Sequence, residues 1–338
     1  MPMSENKRRR KPQFQRSKDQ PIRITKDDLS VLRLVGESRF LRTQDIHREL
    51  PHRSRKHLTA RTRRLYDHGY LDRPRAQVHE FTGFGRPDTI HALGNKGAAL
   101  LAELDGEVPA KSNWTDKNRS VKRPHIQHTL RISDIKLAIN RLPRHVPAIK
   151  ILSADDILKA APPTTAADRN PWQWQARVRT KDGSVKPTKA IPDDVFGIDR
   201  TDVRKRYYYF VECDRGTMPI ARTKQQSSHI VRKFEAYFHG FQAQLHRTRY
   251  NCGNLRFLTV TTSQERIANM ITALQDIAEQ ADCSMFLFAD FNQIMEAQHI
   301  MEVPWLNGHR EQVSLLDCGT AGWGQLPFSR KHVATIQV

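Results

Sequence analysis

The stretch from Tyr207 to Asp214 constrains the fold of this 338-residue chain more than any other. Tyr207-Tyr208-Tyr209-Phe210-Val211 is a run of aromatic and β-branched residues that reads as a strand, and it turns abruptly acidic at Glu212-Cys213-Asp214. A long helix is predicted over 224–245, with Ile230, Val231, Phe234, Tyr237, Phe238 and Phe241 on its apolar face. A strand follows over 255–261, then a helix capped by Ser263 and running to about Gln280, then a strand over 284–289. Upstream, Ala148 to Leu152, Trp172 to Val178 and Lys189 to Ile198 read as strands, and the alternating Leu130, Ile132, Ile135, Leu137 and Ile139 as a helix from His128. Strands that alternate with helices after a β-meander predict a mixed α/β sheet.

The charge is as uneven as the pattern. Lys and Arg number 56 against 36 Asp and Glu, a net charge of +20 with pI near 10.1, which suits a polyanionic partner. Residues 1–23 carry eight basic residues against Glu5 and Asp19, without apolar periodicity, and predict a disordered arm over 1–22. Residues 53–75 carry eight more: Arg53, Arg55, Lys56, Arg61, Arg63, Arg64, Arg73 and Arg75, against Asp67 and Asp72. No run of about 18 apolar residues is present, which excludes a membrane-spanning helix. The start lacks an apolar core, so it is not a secretory signal, and a soluble cytoplasmic protein is expected. The four cysteines show no paired spacing for zinc or a disulfide framework.

The second basic block lies on a folded element. Thr25 caps a helix with Asp27 and Asp28 in its first turn; Thr43 is a candidate cap for a short helix that Pro51 ends; Ser54 caps a third helix running to about His68. Strands at Tyr70–Arg73 and Thr89–Leu93 flank a Gly/Pro-rich tip, and a helix follows over 96–104. Helix, helix, basic helix, hairpin, helix is a winged-helix pattern, in which the third helix enters the major groove and the wing lies along the backbone. The candidate DNA-binding residues are Arg53, Arg55, Lys56, Arg61, Arg63, Arg64, Arg73 and Arg86 on the wing. Use of this face for protein contacts is the bland alternative.

Chemistry, if present, belongs to the acids of Pro192-Asp193-Asp194 and Glu212-Cys213-Asp214, with Lys233 on the helix that follows. Two carboxylates at i and i+2 of a strand share a face about 6–7 Å apart, and a third from a neighbouring strand completes an oxygen site for Mg²⁺ or Mn²⁺. Asp193 and Asp194 point to opposite faces, so at most one joins. Lys233 would steady a phosphate or the attacking hydroxide. Ion pairs of Glu212 and Asp214 with Arg215 and Arg222 are the structural alternative. Other chemistries fail: there is no His-apolar-His triplet for a relaxase and no GxxxxGK[ST] loop, and His125 and His128 read as ordinary helix histidines. Tyr207 to Tyr209, Trp172 and Trp174 read as core.

The order helix, Pro-Asp, hairpin, Glu-x-Asp, helix with Lys, strand resembles the PD-(D/E)XK nuclease superfamily. With Val-Glu-Cys-Asp-Arg-Gly-Thr, Val-Arg-Lys-Phe-Glu-Ala-Tyr and the winged helix in front, residues 25–290 resemble the replication-relaxation family of plasmids and mobile elements. The resemblance implies an α+β chain: a basic arm over 1–22, a winged helix-turn-helix over 23–106, a linker over 107–124, a nuclease-type mixed α/β sheet over 125–305 and an extension over 306–338. It implies Asp193, Glu212 and Asp214 as metal residues and Lys233 as the lysine, although the superfamily places its lysine where Asp214 stands. Two functions stay open. One is a DNA-binding replication or relaxation protein with a Mg²⁺- or Mn²⁺-dependent nicking activity. The other is a non-enzymatic transcription or replication regulator whose inactive nuclease-like domain serves dimerisation or partner binding. Partners implied are double-stranded DNA, a second copy in a homodimer, and replication or mobilisation proteins.

Overall fold

The computed structural model describes residues 14–17, 21–77, 88–106, 113–179, 184–217, 220 and 229–316. The chain divides into two compact units, residues 1–145 with 294–300, and residues 146–293 with 301–338.

The first unit contains α1 (Lys26–Ser38), β1 (Leu41–Arg42), α2 (Thr43–Glu49), α3 (Arg55–Asp67), β2 (Leu71–Asp72), β3 (Ile90–Leu93), α4 (Asn95–Leu104), α5 (Trp114–Ser120), α6 (Arg123–Asn140) and α7 (Leu142–His145). Thr25 caps α1 reciprocally with Asp28: the Asp28 amide donates to the Thr25 hydroxyl, and the Thr25 amide donates to the Asp28 carboxylate at 2.7 Å. Ser54 caps α3 by accepting from the His57 amide at 3.2 Å. α2 starts at the residue expected to cap it, Thr43, and its cap position is Arg42. Val31, Leu32 and Val35 of α1 pack with Ile46, Leu58, Leu65 and Leu71 in one core. β3 lies between β1 and β2 in an antiparallel three-stranded sheet.

The sequence places a domain boundary before residue 125, yet α6 belongs to the first unit. Its Ile126 and Leu130 pack with Phe40, Ile90 and Ala92, and Leu137 joins the α1 core. The compact units divide at His145 instead. The arm also differs from expectation where it is described. Residues 14–17 lie on α3: Arg16 donates to the Tyr66 carbonyl at 2.5 Å, its guanidinium sits 4.7 Å above the Tyr66 ring, and Tyr66 donates its hydroxyl proton to the Phe14 carbonyl. Polar and cation–π contacts hold this piece where apolar content could not. The rest of the arm up to residue 13 and the wing tip at 78–87 are outside the described residues.

The second unit runs β4 (Ile149–Leu152), α8 (Ala154–Lys159), α9 (Pro163–Ala166), β5 (Trp174–Arg179), β6 (Val185–Ala190), β7 (Asp194–Arg200), β8 (Lys205–Cys213), α10 (His229–Gln242), α11 (Leu245–Tyr250), β9 (Leu255–Thr261), α12 (Gln264–Ala278) and β10 (Phe286–Asp290). α13 (Phe291–Glu296), β11 (Trp305–Asn307) and β12 (Gln312–Val313) follow. Among the described residues, seven strands form a mixed sheet in the order β12-β11-β10-β9-β8-β7-β4, parallel only at β8–β9 and β9–β10. Phe234, Tyr237 and Phe238 of α10 bury against Phe210, Phe257, Phe286 and Phe288 of the strands. The helix expected over 224–245 is shorter where described, because Gln244 at φ +58° separates α10 from α11. The sheet also continues past the predicted boundary at residue 305, since β11 and β12 extend it and Tyr209 donates to the Leu315 carbonyl at 2.7 Å.

The strand expected over Lys189–Ile198 is two strands. Through Ala190 the chain pairs with β5, and from Asp194 it pairs with β8. Pro192, which has no amide proton to donate, lies in the change of partner. The β5–β6 hairpin packs on α10 through Trp174, fully buried, whose Nε1 donates to the Ala236 carbonyl at 2.8 Å. Gly240 permits that approach: a Cβ there would fall 1.8 Å from the indole nitrogen. No described helix is long and apolar enough to cross a membrane.

Candidate functional site

Three of the four residues singled out for chemistry meet under α10. Glu212 is next to last in β8, 2% exposed. Lys233, on the inner face of α10, bonds its carboxylate Oε2, and Tyr237, one turn further along the same face, donates its hydroxyl proton to Oε1 at 2.5 Å. Asp193 stands just before β7, where its amide donates to the Val211 carbonyl at 2.9 Å. That register turns its carboxylate back across β8: Oδ2 accepts from the Cys213 amide at 2.9 Å, and Oδ1 lies 3.6 Å from the Lys233 ammonium.

The electrostatics follow from burial. Burial pushes the Glu212 carboxyl up to about 8, against the pull of the Lys233 ammonium, and the nearby Asp193 carboxylate adds to the rise. Burial alone would lower Lys233, but the carboxylates of Glu212 and Asp193 together carry its pKa above the ordinary lysine value. Tyr237 is pushed well up by burial and by the Glu212 carboxylate, so it remains a donor. His229, one turn before Lys233, is lowered by burial and by the Lys233 charge.

Asp214 takes a different course. It follows β8 and is gripped by Arg266 of α12, Nε to Oδ2 at 2.5 Å and Nη2 to Oδ1 at 3.0 Å, with the Thr261 hydroxyl donating at 2.7 Å. The Gly216 amide also donates to Asp214 at 3.1 Å. Gly216 has φ +70°, and a Cβ there would lie 2.5 Å from the Thr262 hydroxyl. The Glu-x-Asp-Arg-Gly segment therefore divides its labour: Glu212 enters the core, and Asp214 and Gly216 build a turn anchored to α12. The pairing expected for these acids was with Arg215 and Arg222; the guanidinium found on Asp214 is that of Arg266, and Arg222 lies outside the described residues.

These side chains, as arranged, do not fit a divalent metal. Both Glu212 oxygens are engaged by Lys233 and Tyr237, and both Asp214 oxygens by Arg266. Among the described residues no three His, Cys, Asp or Glu side chains gather as a metal site. The cation between Asp193 and Glu212 is the Lys233 ammonium. Sequence reading missed Tyr237 and Arg266. Tyr237 falls four residues after Lys233 on one helical face, a spacing that could have found it. Nothing local marks Arg266.

In the first unit the basic residues in and around α3 separate into two groups. Arg61 is bidentate on Asp28, Nε to Oδ1 at 2.6 Å, and donates to the Arg23 carbonyl. Arg63 bonds Asp67 at 3.0 Å and the Gln15 carbonyl at 2.6 Å, and Arg64 bonds the Pro21 carbonyl at 2.7 Å. Arg73 is buried, 4.6 Å over the Tyr66 ring, and burial lowers its pKa to about 10. These four are fastened to their own domain. In contrast, His52 to Ala60 are exposed except for Leu58. Arg53 pairs with Asp27 at 2.5 Å and Arg55 pairs with Asp88, yet their side chains remain 45% and 60% exposed, and Lys56 has no carboxylate partner among the described residues. Arg86 lies outside the described residues.

No curated protein and no solved structure matched the chain. The family model for replication-relaxation matches residues 32–254, more than half of the sequence, and takes in α3, the β5–β6 hairpin, Asp193, Glu212, Asp214 and Lys233. On that match the chain belongs to the replication-relaxation family.

Proposed function

We propose that this chain is a DNA-binding protein of replication or relaxation that holds duplex DNA through a winged helix built from α1 to α4 and β1 to β3, with the first half of α3 in the major groove. The observation that carries the reading is the exposed basic start of α3. A groove-reading helix presents its N-terminal residues to the bases and backbone, and here Arg53, Arg55 and Lys56 stand exposed around the Ser54 cap. Exposed ion pairs such as Arg53–Asp27 and Arg55–Asp88 hold little free energy, so phosphates can replace their carboxylates. The joint variant Arg53→Gln, Arg55→Gln, Lys56→Gln is expected to bind duplex DNA more weakly. Its log affinity against log salt should flatten by about 0.9 for each phosphate that is no longer neutralised, up to roughly 2.7. Its melting temperature should barely move. An unchanged affinity and slope would refute the placement of α3.

In this reading the second unit is a nuclease-like fold whose site is filled by its own lysine and serves partner binding. The convergence of Asp193, Glu212 and Lys233 also favours the second reading, a metal-dependent nickase of plasmid or mobile-element DNA. A supercoiled-plasmid assay with Mg²⁺ or Mn²⁺, paired with thermal melts, separates the two. The expected result is no nicked product and no metal-dependent rise in melting temperature. Nicking that disappears in Glu212→Gln would establish the nuclease and remove the first reading of this unit.

A further inference from the structure

We propose that the β5–β6 hairpin is a second DNA-binding element, which grips backbone phosphates of a duplex through Arg177, Lys186 and Lys189. Trp174 pairs with Ala190 and Ala176 with Thr188, and this face of the ribbon lies on α10, with Trp174, Ala176 and Ala190 buried. The alternate positions form the outward face, where Gln175 pairs with Lys189 and Arg177 with Pro187; all four are exposed. Lys186 pairs with Val178 and so lies on the opposite face of the ribbon from Arg177 and Lys189, where it is exposed towards the far end. Among the described residues none of Arg177, Lys186 and Lys189 pairs with a carboxylate, unlike Arg61 and Arg63 of α3. From Trp172 to Ile191 the sequence has five basic residues against Asp182 alone. Lysines on edge strands also serve to keep sheets from aggregating, and both strands of this ribbon are edges; a cross-link from the ribbon to DNA separates that role from phosphate binding.

A narrow two-stranded ribbon with unneutralised charge complements a duplex, whose grooves admit such a ribbon and whose phosphates take point charges. The ribbon is anchored on α10, where the Trp174 indole donates to the Ala236 carbonyl and packs against Gly240. α10 carries this platform and Lys233 together, and the chain runs from β6 through Ile191 and Pro192 directly into Asp193. DNA held on the ribbon is thereby held on the elements that build the Asp193–Glu212–Lys233 cluster.

The inference rests on the reading of the chain as DNA-binding, and it is independent of α3. The full-length variant Arg177→Gln, Lys186→Gln, Lys189→Gln is measured beside the α3 triple variant, by duplex affinity across a salt series, with melting temperatures to confirm folding. The hairpin variant is expected to flatten the salt slope by about 0.9 for each phosphate it no longer neutralises, up to roughly 2.7, with no change in melting temperature. A photo-cross-linking amino acid in place of Gln175 should join the ribbon to DNA. If the α3 variant loses slope while the hairpin variant keeps it and no cross-link forms, the hairpin proposal is overturned, as it would be for an acidic protein partner. If only the hairpin variant loses slope, the proposal stands and the placement of α3 fails.

Discussion

Lys233→Met is expected to cost about 3–5 kcal/mol of folding free energy near pH 8, the largest effect of any single change in the second unit's polar cluster. The substitution keeps most of the apolar volume and removes the ammonium, which leaves Glu212 buried beside Asp193 with Tyr237 as its remaining side-chain donor. The pH dependence has a definite sign. The Glu212 carboxyl is raised by burial from 4.5 to about 8 in the folded protein. Its contribution is therefore fully present below about pH 4.5 and is lost as pH rises through about 8. Removing Lys233 takes away the strongest influence holding that value down, so the variant should be penalised most at high pH and recover towards pH 5, where Glu212 is protonated. Lys233→Met combined with Glu212→Gln removes both charges, keeps an acceptor for Tyr237, and should lose far less than the single variant. Guanidinium denaturation at pH 5, 7 and 9 measures all three. A loss below about 1 kcal/mol, the same at every pH, would mean that water reaches Glu212 and that the pair behaves as an exposed one.

Elements with strong periodicity were legible from sequence, and contacts between distant elements were not. The Tyr207 to Val211 run, the apolar face of α10 and the caps Thr25, Ser54 and Ser263 each carry a local signal, and each sits where that signal puts it. The apolar stripe of α6 predicted a helix correctly but held no information about which core it enters; a polar segment before it suggested the wrong side of the boundary. Pro192 was visible as a strand breaker, but the exchange of partners around it depends on β5 and β8. In the candidate site, Asp193, Glu212 and Lys233 were found together because two strand ends and a helix face converge by simple geometry. Asp214 was assigned to the same cluster because i and i+2 share a face. It left the cluster because Arg266, fifty-two residues away, offers a bidentate guanidinium. The basic pattern of α3 likewise fixed a face without revealing that Asp28 and the carbonyls of Gln15 and Pro21 occupy half of it.

That division of α3 makes Arg61→Ala a test of structure, where the sequence alone suggested weaker DNA binding. Asp28 is fully buried at the third position of α1, and it completes the reciprocal cap with Thr25 while accepting hydrogen bonds from Nε and Nη2 of Arg61. Burial would raise the Asp28 carboxyl, but Arg61 and Thr25 outweigh it and hold the value below the ordinary 3.8. Without Arg61 the buried carboxylate keeps only the Thr25 donors, a loss of about 2–3 kcal/mol at pH 7, allowing for the partial exposure of the guanidinium. Because the folded value is depressed, this stabilisation is present above about 3.8 and is lost as pH falls through the folded value. The gap between wild type and variant should therefore close under acid conditions. Arg61→Lys should restore little, since one ammonium cannot reproduce two parallel bonds to the carboxylate and a third to the Arg23 carbonyl. Measured under conditions where Arg61→Ala stays folded, its salt slope for duplex DNA should equal that of the wild type, while Lys56→Ala keeps its stability and loses slope. A stable Arg61→Ala protein with a flattened slope would return Arg61 to the DNA face and show that its bond to Asp28 gives way to phosphate.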